Sequence, residues 1–154
     1  VGHLAAWNYF MSVDTPVNAS FIETWHAFIG DTERVTNDPM EAHYIGFNMW
    51  AAAVEKAGTT EADAIIDAIV GIEVPNLTGG TAVMLPNHHI TKPVLIGEIQ
   101  ADGQYDVVWE TEDLVPGDAW SDYLPESAVL EADWTAPINC GNYNTETKTC
   151  GGAS

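Results

Sequence analysis

The sequence has 154 residues, 46% of them hydrophobic, with four Lys and Arg against 23 Asp and Glu and a formal net charge of −19. That size and apolar content suit one domain with a real core and exclude a wholly disordered chain. The charge repels phosphate backbones and anionic membranes, which argues against nucleic acid as a partner, and no apolar run reaches the roughly 18 to 20 residues of a membrane-spanning helix.

Residues 1–13, VGHLAAWNYFMSV, read as an extended, β-rich opening segment carrying aromatics. It has neither a Met start nor a basic stretch, so it is not an export signal, and the chain is expected to begin mid-sequence. A helix follows from about Thr15, with Pro16 in its first turn. Phe21, Trp25, Phe28 and Ile29 fall on one face and Gly30 stops it. A second helix is expected over about 39–57, within NDPMEAHYIGFNMWAAAVEKAG. Asp38 is its predicted cap, Pro39 suits the first turn, Glu41 completes a capping box and Gly58 ends it. Its surface is unusual. Met40, Tyr44, Phe47, Ala51 and Val54 form one apolar stripe and Ile45, Met49 and Ala52 another, extended by Gly46, Trp50, Ala53 and Ala57. A helix apolar on most sides must be covered on most sides.

A third helix is expected over about 60–70, where Ala62, Ile65, Ile66, Ile69 and Val70 share a face and Gly71 closes it. TAVMLP is a short strand candidate ending at Pro86. KPVLIGEIQADGQYDVVWET reads as a hairpin, Val94–Gln100 and Tyr105–Thr111 about an Asp102-Gly103 turn. Residues 114–154 read as an irregular, acidic and Pro-rich tail, which divides the chain at 113.

No motif of nucleophilic catalysis or phosphate binding is present, since no serine sits in a GxSxG elbow and Gly79-Gly80 lacks a following Lys. His88 and His89 are adjacent, so a regular strand would send them to opposite faces, and a loop role is expected over a metal site. His43 has no partner one turn on, and is expected to be packed or hydrogen-bonded. Carboxylates are so abundant that no acid/base pair stands out. No catalytic residue, metal or cofactor is therefore expected, and the protein is not read as an enzyme. Glu41 keeps two readings: a capping box with Asp38, or a carboxylate that a helix N-terminus presents to a polar ligand. Trp7 and Tyr9 also keep two, core packing or pocket walls. Cys140 and Cys150 bracket nine residues of a polar loop. A disulfide is favoured there over a metal site, contributing under about 3 kcal/mol and pointing to an oxidising compartment.

Several stretches together, GHLAAWNYF, TNDPMEAHYIGFNMWAAAVEKAG, NHHITKPVLIGEIQADGQYDVVWET and INCGNYNTETKTC, resemble the C-terminal part of the urea-binding proteins of ABC transporters. These are type 1 periplasmic binding proteins, related to receptors for short-chain amides and branched-chain amino acids. The resemblance implies an α/β fold: the C-terminal portion of such a receptor, three helices followed by strands and a β-hairpin, incomplete without an N-terminal part. It further implies two lobes that close on a solute and a role as the solute-binding component of an ABC importer. The partners would be a small-molecule solute (urea, an amide or an amino acid), a membrane permease and the N-terminal remainder of the same protein. The location would be periplasmic or extracellular. By the same resemblance, the neighbourhood of ligand contacts at the start of the second helix is Asp38, Pro39, Met40, Glu41 and Tyr44, and contacts are expected from Glu41 and Tyr44 ahead of Trp7 and Tyr9. A carboxylate and hydroxyls can accept from the N–H groups of urea or an amide. Two rival readings are a processed fragment that assembles with other chains through exposed Trp and Ile surface, and an amide-sensing regulatory domain of the same fold.

Overall fold

The computed structural model describes residues 1–118, 120, 123–126, 141–144 and 147–151. They belong to two compact units, Val1–Asp118 and Ala119–Ser154. Because Val115 pairs with Lys92 through an isolated antiparallel bridge, the first unit runs beyond residue 113.

In the first unit the helices begin and end on local chemistry. The Thr15 hydroxyl accepts from the Asn18 amide (3.1 Å), Pro16 occupies the first turn of α1 (Pro16–Ile29), and Gly30 closes it in the left-handed conformation at φ 69°. Helix α2 (Asp38–Ala57) is capped by Asn37, which corrects the expectation for Asp38. Asn37 is extended (φ −147°, ψ 170°) and its Oδ1 accepts from the Met40 amide at 3.1 Å, whereas Asp38 is already helical. With the cap moved to Asn37, Glu41 lies one position too far along for a capping box, and its carboxylate is spoken for elsewhere. Helix α3 (Ala62–Ile69) is shorter than expected. Val70 is extended, so Gly71 (φ 78°) serves the next turn, where its N–H donates to the Met84 carbonyl at 2.8 Å.

A three-stranded antiparallel sheet runs β1 (Leu4–Trp7), β4 (Leu95–Ile99), β5 (Tyr105–Glu110), with β4 in the middle. Trp7 pairs with Leu95 and Ile99 with Tyr105, and the β4–β5 register shifts between Ile96 and Gly97. Gly97 is required there: a Cβ would lie 2.7 Å from the Phe10 ring, which stacks on Tyr105 at 4.7 Å between centroids. A separate ribbon pairs β2 (Glu73–Pro75) with β3 (Thr81–Val83). The sequence reading lacked β2 and carried β3 on to Pro86, but beyond Val83 only Met84 continues, bridging Ile90.

The core gathers Ile45, Met49 and Ala82, with Ile69, Ile72, Val74, Met84 and Ile90 packed around them. Helix α2 therefore buries one narrow stripe, Glu41, Ile45, Met49 and Ala53. Its other apolar flank stays open among the described residues: Tyr44 is 45% exposed, Phe47 64% and Trp50 42%.

In the second unit β6 (Gly141–Asn144) and β7 (Thr149–Gly151) form an antiparallel ribbon with Tyr143 opposite Cys150, so the expected irregular tail contains strands. Cys140 lies outside the described residues, and the expected pairing of Cys140 with Cys150 lies outside them with it.

Candidate functional site

The end of β1, the segment leading into α2 and the β4–β5 turn surround a cleft of about 390 Å³. Trp7, Tyr9 and Asp38 line it, together with Phe10, Thr36 and Gln104. Trp7 closes β1 and stays 48% exposed, standing as a rim. Tyr9, just beyond the strand, is buried. Its hydroxyl donates to Asn18 Oδ1 (2.9 Å) and is met by Thr36 Oγ1 (2.6 Å), while the Asn18 amide donates to the carbonyls of Met11 (3.0 Å) and Val13 (2.8 Å). This network fixes one wall of the cleft to the start of α1. Burial pushes the Tyr9 phenol up, against the lowering effect of its two hydrogen bonds.

Asp38 opens α2 and is half-buried, with Oδ1 shielded and unpartnered. Burial raises its carboxyl, opposed by the Asn8 backbone and by the charge of Lys92. The side-chain amide of Asn8 donates to the Pro93 carbonyl (2.7 Å) and so ties the end of β1 to the segment carrying Lys92. The Lys92 ammonium forms an ion pair with Glu41 Oε1, with side-chain exposures of only 12% and 1%; Glu41 Oε2 has no partner. Burial is the main influence raising the Glu41 carboxyl, Lys92 opposes it, and the charge of Asp38 reinforces it.

Glu41 thus lies behind the cleft, where it meets Lys92. Met40 is partly buried and donates its amide to Asn37, outside the cleft lining. Tyr44 turns away: its ring sits 4.8 Å from Phe21, and it lines a separate groove with Val17, Asn48 and Val74. The structure therefore brings Trp7, Tyr9 and Asp38 together, sets Glu41 behind them and separates Tyr44. His43 Nδ1 lies 2.6 Å from the Pro39 carbonyl, a local helix contact. His88 and His89 sit in an exposed turn, His88 at φ 61°.

Sequence reasoning missed Lys92, Asn18, Thr36 and Gln104. A signal existed for Lys92, one of four cations in a strongly acidic chain and set in an apolar run. Chemically, the cleft offers aromatic walls (Trp7, Phe10, Tyr105) and a carboxylate acceptor, with no lysine or arginine in its lining. Such a surface can hold a small polar molecule that brings hydrogen-bond donors.

Residues 1–126 match the family described as a periplasmic binding protein domain. The chain belongs to that family. Among the described residues, three helices and antiparallel strands match the type 1 periplasmic binding protein fold. Among solved structures, it is similar to a solute binding protein of an ABC transporter from Rhodopseudomonas palustris HaA2 in complex with p-hydroxybenzoic acid. Identity is 26% and the TM-score 0.60, over 73% of this chain and 30% of that one. An R. palustris solute binding protein in complex with benzoate gives 14% and 0.65, over 77% and 32% of the two chains. A leucine binding protein from Thermotoga maritima MSB8 gives 19% and 0.58, over 71% and 30%. These last two show the fold alone. A curated relative named limonene hydroxylase, from Geobacillus stearothermophilus, is 30% identical over 134 residues, 86% of this chain and 24% of that protein. This periplasmic binding protein domain therefore spans a quarter to a third of the relatives' length. The hydroxylase name belongs to the longer protein, whereas the family matched here is one of binding proteins.

Proposed function

We propose that these residues are the C-terminal part of a solute-binding component of an ABC importer, which holds urea or a short-chain amide by hydrogen bonds in a cleft between two lobes. Asp38 carries the reading. Its carboxylate lines an aromatic-walled cleft, keeps one oxygen without a donor and has no cation beside it in the lining. Urea and amides bring N–H donors and no charge, which suits an acceptor of this kind. Benzoate, named for one solved neighbour, carries a carboxylate and no N–H donor, so it would meet Asp38 with no cation in the cleft lining, whereas leucine, named for another, brings an ammonium that a carboxylate accepts. The remaining contacts come from sequence N-terminal to Val1, and the lobes close by hinge motion before the loaded form meets a membrane permease. The setting is the periplasm or cell exterior, where a Cys140–Cys150 disulfide would persist.

Calorimetry on the longer receptor with urea, acetamide and benzoate tests this. Urea or acetamide is expected to bind saturably, and Asp38→Ala to weaken that binding about tenfold, the worth of one hydrogen bond to a charged group. Benzoate as the tightest solute, with affinity indifferent to Asp38→Ala, would refute it. The open Phe47 and Trp50 flank favours a second reading, a processed fragment that assembles with other chains. A native sample with the mass of these residues alone and no companion piece would favour that alternative.

A further inference from the structure

Asp38 and Glu41 stand three residues apart in α2 and so share one face of its first turns. One ammonium, that of Lys92, faces both. It is bonded to Glu41 and reaches Asp38 only through space. Backbone amides support both carboxyls, Asn8 that of Asp38 and Leu77 that of Glu41, yet each keeps a shielded oxygen without a partner, Asp38 Oδ1 and Glu41 Oε2, and the two acids share one nearby cation. Lys56 does not relieve them, since its ammonium donates to the Ala68 carbonyl at 2.9 Å. Lys92 has taken the deeper acid, and the one lining the cleft is left with one oxygen, Oδ1, that no donor meets. Were Lys92 bonded to Asp38 instead, the cleft wall would be close to neutral. A solute bringing N–H groups would then lose its acceptor, and a solute carboxylate would lose its repulsion.

Resting on the solute-binding reading above, we propose that Glu41 is a positioning residue that sets selectivity: by holding Lys92 away from Asp38, it keeps the cleft selective for N–H-donating solutes over carboxylates. Glu41 touches no solute in this scheme. It acts through Lys92, which explains why a fully buried carboxylate stands directly behind a cleft it does not line.

The test uses the full-length receptor, wild type and Glu41→Gln, titrated calorimetrically with acetamide and with benzoate. Acetamide affinity is expected to fall about tenfold while benzoate affinity rises, as the ammonium swings to Asp38. The readout is the ratio of the two affinities, which a merely structural defect would not invert. Glu41→Met, of similar length and apolar, frees Lys92 in the same way and is expected to move the ratio in the same direction, so it serves if Glu41→Gln does not fold. A folded variant with an unchanged ratio, or with both affinities lowered alike, overturns the role of Glu41. A wild type that binds neither probe instead overturns the solute-binding reading itself, which is a separate result.

Discussion

Tyr9→Phe removes a single hydroxyl from the wall of the cleft. Tyr9, Asn18 and Thr36 are all buried, and the ring itself is kept, so the substitution opens no appreciable cavity. Two hydrogen bonds are lost, at 2.9 Å to Asn18 Oδ1 and 2.6 Å to Thr36 Oγ1. Asn18 cannot turn away to find a new donor, because its amide is held by the carbonyls of Met11 and Val13. Each lost bond costs about 1 kcal/mol net and more where a partner is stranded, so the total is about 2–3 kcal/mol. For a chain of this size that lowers Tm by roughly 6–9 °C. Urea denaturation of wild type, Tyr9→Phe, Thr36→Val and the double variant, with equal m-values, measures it. Since Thr36→Val already removes one of the bonds, the double variant should cost about 1 kcal/mol less than the sum of the singles. A loss below about 0.5 kcal/mol for Tyr9→Phe would refute the reasoning, because water would then be reaching the network and the wall would not be closed.

Burial raises the Asp38 and Glu41 carboxyls in the folded chain, so from the ordinary carboxylate range near 4 up to the raised values the unfolded chain binds fewer protons, and stability falls as pH rises. Tm is expected to be higher at about pH 5 than at about pH 7.5, and Asp38→Asn to flatten the slope; a Tm that drops over this range on acidification contradicts it. Gly97→Ala would place a methyl group 2.7 Å from the Phe10 ring and 3.0 Å from Tyr105 Cβ. It is expected to cost about 1–3 kcal/mol by thermal denaturation, and a neutral result would mean that Phe10 is free to move. Phe47→Ser and Trp50→Ser should change the stability of residues 1–154 by no more than about 0.5 kcal/mol, yet cost about 2 kcal/mol each in the proposed longer receptor, if its N-terminal sequence covers this flank. Equal effects in the two proteins would contradict that cover.

Much of the fold was legible where the chain is punctuated. Pro16 and Gly30 bracket α1, Pro39 and Gly58 bracket α2, and Asp102-Gly103 marks the hairpin, because these residues act through backbone geometry that needs no tertiary partner. Three-residue β2 was not legible, since pairing with β3 rather than propensity holds it. Asn37 and Asp38 are equally good caps by type, and only the backbone angles separate them. The site was legible in part. The start of α2 was found, but Glu41 invited a local reading, whereas its true partner, Lys92, lies 51 residues away. Tyr44 sits one helical step beyond the buried stripe, and a rotation of roughly 60° from Glu41 is enough to turn it onto Phe21.

In the proposed receptor, the start of α2 completes a solute cleft only together with sequence beyond these residues. Calorimetry with urea and acetamide, run side by side on residues 1–154 and on the longer receptor, tests it most directly. Saturable binding by the longer receptor alone is the predicted result, and saturable binding by residues 1–154 in isolation would contradict it.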